Sequence, residues 1–163
     1  MNIKMNHSHG FLLLLLASML LKGCATTQYG NFIQNPSLQA SQSMAMDAAA
    51  QIDRLYPAAT TQFSIAHAVN DAFGQTLVEQ LRVAGFAVQE IPESSIEQSL
   101  FVAPQSPAEP HTGIRLSYIV DQSDDLYHAN LMIGDTRLSR AFNLRADGIH
   151  PAGLWVKWVK KEE

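Results

Sequence analysis

The feature that most limits what this chain can fold into lies near its start. Phe11 to Leu21 reads FLLLLLASMLL, eleven residues without a charge, preceded by Lys4 and closed by Leu21-Lys22-Gly23-Cys24. A helix that spans a bilayer needs roughly 18–20 apolar residues, whereas the core of a signal peptide needs about 7–15. The run therefore predicts an export signal over residues 1–23, lost before the mature protein folds. Cys24 is the only cysteine. Exported proteins commonly pair cysteines as disulfides, so a lone one points to an intermolecular bond, a free thiol or a modification. Its position directly behind the apolar run selects modification.

Leu21-Lys22-Gly23-Cys24 resembles a lipobox, the pattern read by bacterial lipoprotein processing. The resemblance implies signal cleavage between Gly23 and Cys24. A small Gly23 lets the peptidase approach that bond, and the Cys24 sulfur receives a diacylglyceryl group. Lys22 departs from the pattern, which usually has a small uncharged residue there. The competing reading is an ordinary secretory signal with Cys24 as a chance thiol. Each buried methylene contributes about 0.8 kcal/mol, so a diacylglycerol plus an N-acyl chain anchors essentially permanently. Ala25 follows the cysteine where Asp would signal retention, and by resemblance to enteric lipoprotein sorting this implies the inner leaflet of the outer membrane. No cofactor beyond those acyl chains is expected.

Charge narrows the partners. Of the 11 Lys+Arg, Lys4 and Lys22 leave with the signal, so the mature chain has 9 against 15 Asp+Glu, a net charge of −6. Direct nucleic-acid binding lacks an electrostatic basis. The same overall balance disfavours adhesion along an anionic lipid surface, which leaves the membrane to be reached through the lipid anchor.

Residues 24–42 read as a lipidated, flexible tether, rich in Thr, Gln, Asn and Ser. Tyr29, Phe32 and Ile33 interrupt it, either as incidental apolar residues or as a segment that orders on a partner by adding a strand to a sheet edge. Residues 43–163 read as one periplasmic domain. Met44–Leu55 favours helix and Pro57 limits it. Thr60–Ala66 alternates as a strand. Val69, Ala72, Phe73, Leu77, Leu81 and Ala84 form an apolar stripe at helical spacing, with Gly85 as C-terminal cap. Phe86–Ile91 begins a second strand, and the prolines of residues 102–113 mark a loop. Three alternating runs follow, with a turn over Gln122–Asp125 and a tight hairpin at Gly134-Asp135. The expected fold is α+β: a small two-layer domain with helices packed on an antiparallel sheet and a C-terminal meander. Leu154–Val159 is either an edge strand or an exposed patch carrying Trp155 and Trp158.

No catalytic constellation stands out. His67, His111, His128 and His150 are scattered, with no pair at i, i+4 and no HExxH, so no metal site is expected. GxSxG and SxxK are absent, and Asp124-Asp125 fits a solvated turn. The reading is of a non-enzyme without a small-molecule substrate.

Several separated stretches together resemble the TrbH family of conjugal transfer lipoproteins: Cys24-Ala-Thr-Thr-Gln-Tyr-Gly-Asn-Phe, Leu55-Tyr-Pro-Ala-Ala-Thr-Thr, Asp71-Ala-Phe-Gly-Gln-Thr-Leu-Val-Glu-Gln-Leu-Arg with Gly85-Phe-Ala-Val, Leu126-Tyr, Leu138-Ser-Arg-Ala-Phe and Pro151-Ala-Gly-Leu-Trp. The resemblance implies a structural subunit of a conjugative type IV secretion (mating-pair formation) apparatus at the outer membrane, with other channel subunits as partners. Tyr29, Phe32, Ile33, Trp155 and Trp158 are then the candidate partner contacts. The alternative is a lipid-anchored module for cell-envelope material, with Trp155, Trp158 and Tyr118 as a stacking surface.

Overall fold

The computed structural model describes residues 29–90 and 112–160. The signal, Cys24 and most of the proline-rich loop lie outside them. Two helices and eight strands form an α+β domain with one helical layer against one mixed sheet.

The first helix, α1, is Leu38–Leu55 and starts six residues ahead of Met44. Ser37 sets that start: its hydroxyl accepts from the Ala40 N–H at 3.4 Å, serving as N-cap. The buried stripe is Ala40, Ser41, Met44, Ala45, Ala48, Ala49 and Ile52. Five of those seven are Ala or Ser, small enough to bring the helix backbone close to its neighbours. The segment expected to be a tether up to residue 42 thus contributes its last five residues to a packed helix.

A 3₁₀ turn, Ala58–Thr60, leads into β2, Gln62–Ile65. The second helix, α2, is Ala72–Val83, capped at its start by Asp71. At its end Gly85 takes φ +94°. Its N–H bonds the Arg82 carbonyl and the Phe86 N–H bonds the Leu81 carbonyl, both at 3.0 Å, the pairing of a Schellman motif. The turn also places Phe86 against Phe63, ring centroids 5.3 Å apart. β3 is Ala87–Gln89.

The meander forms as the alternation predicts: β4 Ile114–Ser123, β5 Leu126–Ile133 and β6 Thr136–Arg145, antiparallel in sequence. Asp124-Asp125 and Gly134-Asp135 are the two turns, with Asp124 and Gly134 at positive φ. The side of the sheet beyond β4 departs from the antiparallel expectation. β2 runs parallel to both β3 and β4. The reason is the connection: α2 carries the chain back along the sheet between β2 and β3, and such a crossover returns a strand in the same direction. A further short strand, β1, Gly30–Asn31, lies parallel to β4.

Cross-strand partners share a face, so Leu116, Tyr118 and Val120 line up with Ile133, Leu131 and Ala129 and, beyond them, with Leu138 and Arg140. These inner residues, α1 and α2 enclose one core around Phe63, Ile65, Phe73, Leu77, Leu81 and Phe142. The far edge is an interrupted strand. β7, Gly148–Pro151, pairs with the end of β6 and β8, Val156–Val159, with its start. Four residues, Ala152–Trp155, stand opposite only Ala141 and Arg140, so the edge bulges there.

Candidate functional site

The place where the chain enters the domain is its most elaborated polar feature. β5 occupies one side of β4, so β2 and β1 must share the other. β2 serves Ile114–Leu116 and β1 serves Ile119–Val120, which leaves a gap between the two parallel partners. His67, the second residue after β2, fills it. Its Nε2 accepts the Tyr118 N–H at 3.4 Å while Nδ1–H donates to the Ala68 carbonyl at 2.9 Å. Those partners require the neutral Nδ1–H tautomer. Burial lowers the His67 pKa, opposed by the Ala68 carbonyl and Asp71 and assisted by Arg115.

Aromatic rings close around the imidazole. Tyr29, just ahead of β1, stacks on His67 with centroids 5.9 Å apart, and Tyr118 meets it edge-on at 4.5 Å. The Tyr118 hydroxyl donates to Asp71 Oδ2 at 2.5 Å, while Asp71 Oδ1 accepts from the Phe73 and Gly74 N–H groups at 3.0 and 3.1 Å. Burial, then the Asp71 hydrogen bond and charge, push the Tyr118 pKa far above the tyrosine range. Tyr118 stays protonated and both Asp71 oxygens are engaged. The cluster is a joint that ties β1, β2, α2 and β4 together, chemically closed rather than poised to react.

Residues singled out from the sequence fall unevenly around it. Tyr29, Phe32 and Ile33 flank the two-residue strand Gly30–Asn31, which pairs with β4 of their own domain. The Phe32 N–H bonds the Val120 carbonyl at 2.8 Å, and Ile33 is buried in the core. Only the Phe32 side chain is left exposed, at 51%. The aromatic stacking surface is not assembled. Tyr118 is buried, and Trp155 is half-buried with its indole N–H on Asp47 Oδ2 at 2.9 Å. Trp158 alone faces solvent, 59% exposed on β8. Gly23 and Cys24 lie outside the described residues.

A second polar node pins the far edge. Asp47 on α1 takes two 2.8 Å hydrogen bonds from Arg140 and the Trp155 bond, and Arg140 Nε donates to the Gly153 carbonyl at 2.9 Å. The bulge thus turns Trp155 back toward the helical layer. Nothing in residue spacing marks either node: Asp47 and Trp155 are 108 positions apart, Asp71 and Tyr118 47. The local signal that could find one of them is Asp71, an acid of the kind that caps helix N-termini, which the apolar stripe alone does not single out. Histidines elsewhere pair with surface carboxylates, His128 with Asp121 at 3.1 Å and His150 with Asp147 at 3.0 Å. Among the described residues no group of three His, Cys, Asp or Glu could hold a metal ion. None of their helices is long and apolar enough to cross a membrane.

No curated protein and no solved structure matches the chain. A family model does: that of the conjugal transfer protein TrbH, over residues 26–162. The match spans both helices and all eight strands, the joint and the bulged edge included. The chain belongs to the TrbH family of conjugal transfer proteins.

Proposed function

We propose that this protein is a lipid-anchored structural subunit of a conjugative secretion apparatus, held by Cys24 in the inner leaflet of the outer membrane and without catalytic activity of its own. The observation that carries the reading is how soon the fold begins. Four residues, 25–28, separate the proposed lipidated cysteine from Tyr29, which already stacks on His67. At about 3.5 Å per residue, Tyr29 lies within roughly 18 Å of Cys24 however the link is drawn. The anchor therefore fastens a folded domain close to the bilayer, a geometry suited to fixing one component of an assembly in place. Its partners are other channel subunits, with the exposed Phe32 side chain among the surfaces free to meet them.

Mass spectrometry of the membrane-extracted protein in detergent tests the reading. It expects an N-terminal triacylated Cys24 together with co-purifying secretion subunits. It also expects Cys24→Ser to release the protein from membranes and abolish plasmid transfer. An unmodified protein that begins elsewhere and purifies alone would overturn it, as would normal transfer with the soluble Cys24→Ser chain.

A further inference from the structure

Resting on the lipid-anchored reading, we propose that the exposed edge Leu154–Lys160 is a second membrane contact, lying on phospholipid headgroups beside the anchor. Its composition is unlike the remainder of the surface. Leu154, Val156, Trp158 and Val159 are 86, 65, 59 and 49% exposed. Two of the three lysines behind the signal, Lys157 and Lys160, fall in this stretch, and the third, Lys161, is next in sequence. Arg137 sits directly across from Trp158. An edge strand often carries lysine to deter pairing with other chains, but that role gives no reason to expose four apolar side chains among the lysines. Tryptophan and aliphatic groups at headgroup depth, with ammonium groups reaching to phosphate, account for both. Even with Glu162 and Glu163 counted against the three lysines, residues 154–163 carry a net charge of +1, so the average that disfavours lipid adhesion does not describe this edge.

The sheet register sets the edge a short distance from the end of the domain that the anchor would hold. Gly30, Ile119, Asn130, Ser139 and Val156 are successive partners in one row across β1, β4, β5, β6 and β8. Four strand spacings of about 4.8 Å put Val156 roughly 19 Å from Gly30, at the same height along the strands. The five residues 25–29 hold Gly30 within a similar distance, roughly 21 Å, of Cys24. Anchor and edge can thus rest on one surface together, and the short link keeps the edge at high local concentration, where weak contact suffices.

The test uses the full mature chain with Cys24→Ser, so that no acyl chain contributes. Vesicles of phosphatidylethanolamine and phosphatidylglycerol should sediment it at low salt and shift Trp158 emission to the blue. Pure phosphatidylcholine should do so less, and added salt should weaken both effects. Lys157→Gln and Lys160→Gln should each weaken binding about fivefold, and Trp158→Ala should abolish the emission shift. All three changes are at exposed positions, and thermal melting checks that each variant is folded. No binding at high lipid, or binding that ignores vesicle charge and these substitutions, overturns the proposal. So does a photo-crosslinker at position 158 that captures a secretion subunit while vesicles are ignored. Because the assayed chain has no lipid, its failure leaves the acylation of wild-type Cys24 to be decided separately by mass measurement.

Discussion

Asp71 serves two structures at once, and the residues around it are fixed by that. One carboxylate oxygen caps α2 and the other receives the Tyr118 hydroxyl, so Tyr118 must lie against the first turn of the helix. Gly74 makes the room. A Cβ there would overlap the Tyr118 hydroxyl and stand 2.7 Å from its Cζ and 2.8 Å from Val69 Cγ1. Gly74→Ala is expected to destabilise by about 1–3 kcal/mol despite the better helix propensity of alanine. Adding Tyr118→Phe should recover part of that loss, because the hydroxyl is the nearest obstacle; urea unfolding of the four proteins in a double-mutant cycle measures the coupling. Strict additivity would mean the two side chains do not meet. His67 gives a pH signature. Its pKa lies below the 6.5 of the unfolded residue, so the unfolded chain takes up the proton first. Stability is full above that value and falls as pH drops below it, levelling once pH passes the lowered native pKa. His67→Gln should be less stable than wild type at neutral pH, and the difference between the two should shrink on acidification. Parallel pH profiles of the urea midpoint would show that His67 is not the neutral acceptor described.

At the scale of elements, what could be read from sequence was whatever rests on local pattern. The meander and its two turns follow from alternation, and the Val69–Ala84 stripe with Gly85 from helical period, because each is decided within some ten residues. The pieces that escaped are short or depend on distant partners. β1 is two residues long and exists because β4 has an open side. The parallel pairing of β2 with β4 joins segments some fifty positions apart. The first turns of α1 read as linker because Leu38-Gln39-Ala40-Ser41-Gln42-Ser43 is polar in composition, and the Ser37 cap in front of it emerges only in the structure. The bulge between β7 and β8 likewise depends on Asp47, an ordinary acid in an Ala-rich helix. Asp47→Ala removes the acceptor of three hydrogen bonds, and the Arg140 and Asp47 side chains are only 14 and 24% exposed. Charge-assisted bonds of this kind contribute about 1.5–3 kcal/mol, and a loss of that order is expected, with Trp155 emission moving to the red as the bulge loosens. A variant that keeps both stability and emission would show that the C-terminal edge is held by its ladder to β6 alone.

At the scale of the whole molecule, the proposed anchor at Cys24, the joint and the proposed β8 contact would set the domain against a membrane rather than hang it from one. A sequence rich in Thr, Gln and Asn between Cys24 and α1 had the composition of a long tether, yet β1 and Ile33 commit most of it to the fold. The two arrangements differ in what they require of the link. If the protein only needs to be retained at the membrane, extra length between Thr27 and Gln28 is harmless. If its partners are met at a fixed height, extra length is damaging even when acylation is complete. A flexible Gly/Ser insert of about 20 residues adds a mean span of roughly 25 Å, more than the whole natural link. It leaves Cys24, β1 and the joint intact, so melting temperature and membrane fractionation should match wild type. Plasmid transfer should nevertheless fall by an order of magnitude or more, and a rigid helical insert, which cannot fold back, should be worse than a flexible one. Transfer at wild-type frequency from either chain would mean that attachment alone is needed, and that the closeness of the domain to its anchor has no part in assembly.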